Sequence, residues 1–367
     1  MTTTGKRLRN SVPEISTADS HPAGIKALGP DGLERLFSSL GQPSYRVGQL
    51  TRWLYGRGVT DWSQMSDLPV ALRDRLASAY PLVTPELERK QISALDGTRK
   101  YLWRLGDGVT VESVGLPSGD RLTVCFSTQA GCAMGCTFCA TGASGLTRDL
   151  SPGEMVDQVR LVGADFQLRV TNAVAMGQGE PFAVYDSTLG ALRLMNSPDG
   201  LGVGARHLTV STCGIISGIS RLANEPEQFT LAVSLHSATQ STRDVLMPGV
   251  RGMGLDRLRG AVEDYVSRTG RRVTFEYALI GGVNDTDLEI SALVEYCRGL
   301  LCHVNLIPVN PIGTAPLDRS SSARAREIAQ ALGTAGTEAT VRTERGTDID
   351  AACGQLRQHA EGEAKGV

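Results

Sequence analysis

Residues 121–142 read RLTVCFSTQAGCAMGCTFCATG. The opening RLTVCF alternates polar and apolar side chains around β-branched residues, which predicts a strand. A loop with three cysteines follows at once: Cys132, Cys136 and Cys139, spaced Cys-x3-Cys-x2-Cys, with Gly131, Gly135 and Gly142 among them. Three thiolates on one tight loop can hold three corners of an iron–sulfur cluster and leave a fourth iron open to an outside ligand. The glycines let the backbone fold around a bulky inorganic object. A zinc knuckle would need a fourth Cys or His at knuckle spacing, and none follows. A thioredoxin-type Cys-x2-Cys leaves the third cysteine surplus.

Working outward, six strand-like segments follow: NAVAMG from 172, HLTVST from 207, FTLAVSLH from 229, VTFEYALI from 273, HVNLIPVN from 303 and EATVRT from 338. Amphipathic stretches such as MVDQVRLVGADF and LDRLRGAVEDYVSRT separate them. Strand–helix repetition of this kind is an α/β pattern that predicts a parallel sheet covered by helices. With the strand before the cysteines, residues 119–345 hold six or seven βα units. A full eight-fold barrel takes about 250 residues, so the count predicts an incomplete barrel, with functional residues where strands end.

Upstream, residues 25–88 read as a helical module, with Val47, Leu50, Trp53 and Leu54 on one stripe and Arg46, Arg52 and Arg57 off it. Residues 89–118 form short segments broken by DG and SGD turns, a β extension. Residues 1–24 are polar and rich in Ser, Thr and Pro, expected to be a disordered leader, and 346–367 form a C-terminal loop and tail. With 41% hydrophobic and 21% charged residues, the composition is that of a globular chain. No apolar run reaches about 18 residues, which excludes a transmembrane helix, and no apolar signal region follows the N-terminus. The net charge of −2 argues against nucleic-acid binding by bulk electrostatics. Residues 1–100 carry 14 Lys/Arg against 10 Asp/Glu, compatible with a basic front that docks a phosphate backbone, though equally with chance. The eight cysteines are not distributed as a secreted framework, so a reducing, cytoplasmic compartment is expected.

The cysteine spacing, with Phe138 before the last cysteine, resembles the radical S-adenosylmethionine (SAM) enzymes. From about residue 25 to 357 the chain further resembles the RlmN/Cfr family of RNA methyltransferases. The motifs are VESV around Glu112, VCFSTQAGC with Cys125, GQGEP at 177–181, STCGII at 211–216, SLHSAT at 234–239, VNLIPVNP at 304–311 and GTDIDAACGQL at 346–356. QPSYRVGQLTRWLY matches the family's N-terminal RNA-binding helices. The resemblance implies a (βα)6-type radical SAM barrel, one [4Fe-4S] cluster on Cys132, Cys136 and Cys139, and SAM held by Gly179, Glu180, Ser211, Ser234, Leu235, His236 and Asn310. It implies methylation of adenine C2 in 23S rRNA, and in tRNA near the anticodon, consuming two SAM molecules.

In the implied route Cys353 takes a methyl group from one SAM. A radical from the second SAM removes hydrogen from that methyl, and the resulting carbon adds to C2. Glu112 matches the residue that accepts the C2 proton, and Cys125 the thiol that frees the product by pairing with Cys353 in a disulfide. That pairing requires the C-terminal loop to fold back over the barrel mouth, and the loop is expected to be mobile when the thiols are reduced. A one-electron donor such as flavodoxin or ferredoxin is implied; the expected state is a monomer with no membrane association. Pro181 resembles the C2 branch rather than the C8 branch of the family, while Gln178 departs from the more usual Met. A non-catalytic iron–sulfur RNA-binding protein would lack Cys125 or Cys353, and both are present. Cys213, Cys297 and Cys302 read as core thiols, and Arg271 and Arg272 as solvated.

Overall fold

The structure, a computed structural model, describes residues 23–310, 317–351 and 354–356. A helical region comes first: α1 (Gly29–Ser39), α2 (Tyr45–Thr51), continued by a wider turn to Gly56, and α3 (Val70–Ala79). Leu33, Phe37, Leu50, Leu54, Leu72 and Leu76 are its buried stripe. Arg46, Arg52 and Arg57 do lie off that stripe, but each has a protein partner. Arg52 reaches Asp199, Arg46 the Asp67 carbonyl, and Arg57 stacks on Trp53.

An antiparallel run follows, β1 (Glu86–Ile92), β2 (Arg99–Arg104), β3 (Thr110–Ser118) and β4 (Arg121–Cys125). β1 begins inside the stretch that reads as helical. It is an edge strand with almost every side chain exposed, so it carries no apolar alternation. A separate hairpin, β5 (Gln129–Gly131) and β6 (Leu146–Asp149), brackets the cysteine loop, which also holds the short α4 (Ala140–Ala143).

The rest is the expected alternation: α5 (Pro152–Phe166), β7 (Asn172–Ala175), α6 (Tyr185–Asn196), β8 (Leu208–Thr212), α7 (Ile216–Leu222) and β9 (Thr230–Ser234). Two helices, α8 (Gln240–Leu246) and α9 (Leu255–Thr269), lead to β10 (Val273–Leu279). Then come α10 (Asp287–Cys297), β11 (Cys302–Pro308), α11 (Ser322–Thr334) and β12 (Glu338–Val341). One sheet runs β1-β2-β3-β4-β7-β8-β9-β10-β11-β12, parallel from β4 onward, with β1 and β12 at its two ends. Seven parallel strands and six crossovers make an open barrel.

The helices begin where their caps dictate. Ser151 and Glu154 form a reciprocal capping box ahead of α5, with Pro152 in the first turn, while Thr286 and Ser321 cap α10 and α11. Among the described residues no helix is long and apolar enough to cross a membrane.

Beyond β12 the chain crosses the barrel mouth as a strap. Arg345 donates to the Pro117 carbonyl, Gly346 N–H to Asp96, and Asp348 accepts the Ala94 N–H. Further along, Ala140 N–H donates to the Gly354 carbonyl at 2.7 Å, and Thr141 to that of Leu356 at 2.7 Å. The strap therefore joins the β1–β2 turn to α4, immediately after the cysteines. Cys353 lies outside the described residues.

Candidate active site

The cysteine loop is fixed at both ends by backbone hydrogen bonds. Cys132 N–H donates to the Gly145 carbonyl at 2.8 Å and Cys139 N–H to that of Cys136 at 3.1 Å. Gly131 sits at φ +78°, and a Cβ there would lie 2.0 Å from the Gly145 oxygen, so no side chain fits. All three cysteines line one open cavity at the barrel mouth. Burial pushes the Cys132 thiol up to about 11 and that of Cys136 higher still. Thiolates are stable in such a place only beside strong positive charge, which a bound metal cluster would supply. Among the described residues no three His, Cys, Asp or Glu side chains converge as ligands of a single ion. The loop fits a polynuclear cluster whose corners are bound one thiolate each.

The strand ends supply the rest of the wall. Gly179, at φ +103°, packs so tightly that a Cβ would meet Gln129 at 2.7 Å, so its freedom serves the seat on the β5 backbone. Glu180 is buried, and its two oxygens accept the Phe182 and Cys213 N–H groups at 2.9 and 2.7 Å. Burial raises its carboxyl above the usual range, opposed by those hydrogen bonds. Ser211 and Ser234 close β8 and β9 with their hydroxyls 3.4 Å apart, and Asn310 lines the same cavity beyond β11.

Leu235 differs from its expected role. Its side chain is in the hydrophobic core, its N–H donates to the Glu276 carbonyl and its carbonyl accepts from Arg243, and it is not among the residues that line the cavity. Cys297 and Cys302 are buried as expected, whereas Cys213, also buried, reaches the cavity wall. Arg271 is only partly solvated: it donates to the Phe229 carbonyl at 2.7 Å and stacks on Tyr265. Glu276, which the sequence pattern hides inside the apolar run VTFEYALI, is a cavity residue held by Asn305 at 2.7 Å.

Two family models match: the radical SAM superfamily over residues 126–293, and the ribosomal RNA large subunit methyltransferase N-terminal domain over residues 25–81. A probable dual-specificity RNA methyltransferase RlmN of Pelotomaculum thermopropionicum is 45% identical over 91% of this chain and 91% of its own. One from Synechococcus elongatus is 48% identical over 86% of this chain and 88% of its own. The chain belongs to the RlmN family of radical SAM RNA methyltransferases. A crystal structure of a radical SAM methyltransferase from Sphaerobacter thermophilus superimposes with a TM-score of 0.84 at 45% identity, covering 92% of this chain and all of that one.

In this RlmN-family chain Cys125 ends β4 and lines the cavity opposite Val114 of β3. Ala351 and Leu356 of the strap pack on Val114, with Cys125 and Leu116 beside them. Among the described residues Cys125 is in no disulfide. Glu112 lies two residues before Val114 on the same face of β3, but it is 1% exposed and paired with Lys100 rather than turned into the open cavity.

His236 sits at φ 56° after β9, with Nδ1 accepting the Ala278 N–H at 2.9 Å, so its neutral ring carries the proton on Nε2. Burial, and secondarily the Arg243 guanidinium, drives the imidazole down to about 3 from 6.5. Between those values the unfolded chain binds a proton that the folded one does not. The stability from neutral His236 is complete above about pH 6.5 and is lost as the pH falls toward 3, by up to about 1.4 kcal/mol per unit. Urea melts of the metal-free protein at pH 7 and 5 should show a larger loss for the parent than for His236→Asn, which keeps the left-handed backbone. Equal losses would assign the acid sensitivity elsewhere.

Proposed function

We propose that this methyltransferase places a methyl group on C2 of adenine in 23S rRNA and in tRNA, with Cys353 as the carbon carrier. Cys132, Cys136 and Cys139 hold a [4Fe-4S] cluster, and Gly179, Glu180, Ser211, Ser234, His236 and Asn310 hold SAM. When bound, cluster and SAM supply a reductively generated carbon radical able to take hydrogen from an unactivated methyl group. C2, flanked by two ring nitrogens, is electron-poor and has no electron pair for ordinary displacement chemistry, which is why such a route is needed.

The observation that carries this reading is the convergence of Glu112, Cys125 and the strap on one face. Val114 pairs with Cys125 across β3 and β4 and packs under Ala351 and Leu356, either side of position 353. Cys353 presents the carbon, Glu112 takes the C2 proton, and Cys125 attacks the Cys353 sulfur to release the product. The helical region at 25–88 presents the RNA.

The test is anaerobic reconstitution with iron and sulfide, then SAM, reductant and an rRNA fragment or tRNA, with nucleosides read by mass spectrometry. The expected product is 2-methyladenosine. 8-Methyladenosine would keep the chemistry and overturn the position.

A further inference from the structure

Helix α8 lies directly beneath the cysteine loop. Its last carbonyl, Leu246, accepts the Thr137 N–H at 3.0 Å, and Gly249 N–H just beyond donates to the Met134 carbonyl at 2.8 Å. Leu246, Met247 and Val250 pack against Met134, Cys136 and Phe138. The inward residue of α8 is Arg243, a guanidinium with no exposure to solvent. Its Nε donates to the Leu235 carbonyl at 3.2 Å and its Nη2 to that of Cys213 at 2.6 Å, while Nη1 has no hydrogen-bond partner. Among the described residues no carboxylate forms an ion pair with it.

A buried cation held only by carbonyl dipoles is costly, and buried charges are ordinarily paired or bound to an ion. The near carboxylates do not fill that role. Glu180 sits across the Cys213 peptide, with both oxygens on backbone N–H groups, and Asp244 is half-buried and bound to Gln240 and Gly252. The groups nearest in charge to Arg243 are the Cys213 thiol, the Tyr296 hydroxyl and the Cys136 thiol, and both cysteines line the cavity.

We infer that Arg243 is the fixed counter-charge of the cluster on Cys132, Cys136 and Cys139, and that it raises the cluster's reduction potential. The inference rests on the cluster assignment above. The cluster core with three thiolates is anionic. A one-electron donor adds one further negative charge without breaking a bond or moving a proton, so a buried cation at short range stabilises the reduced form more than the oxidised one. Arg243 is thus a positioning residue that acts through the cluster. No sequence pattern singles it out.

The experiment is a redox titration followed by electron paramagnetic resonance on the reconstituted protein without RNA, for the parent, R243Q, R243M and R243K, each checked for fold by circular dichroism. The neutral variants should shift the one-electron equilibrium toward the oxidised cluster at least tenfold, about 59 mV to lower potential. R243K should stay within that margin of the parent. Neutral variants that fold but retain no cluster, where R243K retains one, would also support the inference. It is overturned if R243Q or R243M titrates with the parent, if R243K is displaced as far as they are, or if every variant fails equally to retain iron. Should neither neutral variant fold, R243K alone decides: a shift beyond tenfold overturns the inference, and a potential held at the parent value supports it. A parent that takes up no iron and sulfide would overturn the cluster assignment itself, which distinguishes the two failures.

Discussion

Cys125→Ala is expected to leave RNA covalently attached to the protein, and Cys353→Ala to yield no methylated RNA at all. The two cysteines act on opposite sides of one bond. On the proposed route Cys353 carries the carbon, so without it no carbon reaches the base. Once that carbon has joined C2, it stays bonded to the Cys353 sulfur until a second sulfur displaces it. Attack by Cys125 makes the S–S bond, the carbon leaves with the electron pair of the broken C–S bond, and it takes up a proton to become the methyl group. Cys125 is placed for this attack at the end of β4, in the cavity wall, beside strap residues Ala351 and Leu356. Without it the first turnover proceeds to the adduct and stops, so released product should fall by at least about a thousandfold. A denaturing gel of the reaction resolves the adduct, and mass spectrometry of the released nucleosides resolves the product. Release of 2-methyladenosine at the parental rate by Cys125→Ala would remove that residue from the reaction.

The parallel part of the fold was legible because each strand from β8 to β11 is a short, largely apolar and buried run, bounded by amphipathic stretches. The parts that were not legible share a cause: their inward residues are polar, or there are too few of them. β1 is an exposed edge whose sequence, ELERKQI, alternates nothing. β5 has three residues. α8 reads QSTRDVL, and periodicity places an arginine outside, yet Arg243 is buried with Leu246. The site divides in the same way. Cysteine spacing is a local signal and marked the loop, whereas Lys100, inside RKYLWR, and Glu276, inside VTFEYALI, take their roles from neighbours far away in sequence. Leu235 belonged to a motif but not to the cavity, because alternation along β9 and its turn sends every second side chain to the core.

Lys100→Met should destabilise the protein by about 3–5 kcal/mol, the cost of leaving a buried carboxylate without its cation. Lys100 Nζ lies 3.1 Å from Glu112 Oε1, with the two side chains 5% and 1% exposed. The antiparallel register pairs Leu102 with Glu112 and Lys100 with Val114, so the two side chains meet diagonally on one face. The same ammonium donates to the Asp350 carbonyl at 3.1 Å, which ties β2 to the strap. Replacing both members, in Lys100→Met with Glu112→Gln, removes the charge as well as its partner and should recover most of the loss. Urea unfolding of the four proteins in this cycle measures the coupling, and additive losses would mean that the pair does not act as one unit. The strap gives a second readout. Freed from Lys100, residues 346–351 should become sensitive to limited proteolysis in Lys100→Met while Glu112→Gln stays resistant, since only the first removes the donor to Asp350. A buried ion pair is a poor way to stabilise a fold when an apolar pair would serve as well. On the proposed route its presence beneath the strap has a chemical reason, because Glu112 must be ionised to accept the C2 proton. The Asp350 carbonyl sits on the same ammonium as that carboxylate. On that route Lys100 is the group that holds the Glu112 carboxylate in place as the base approaches.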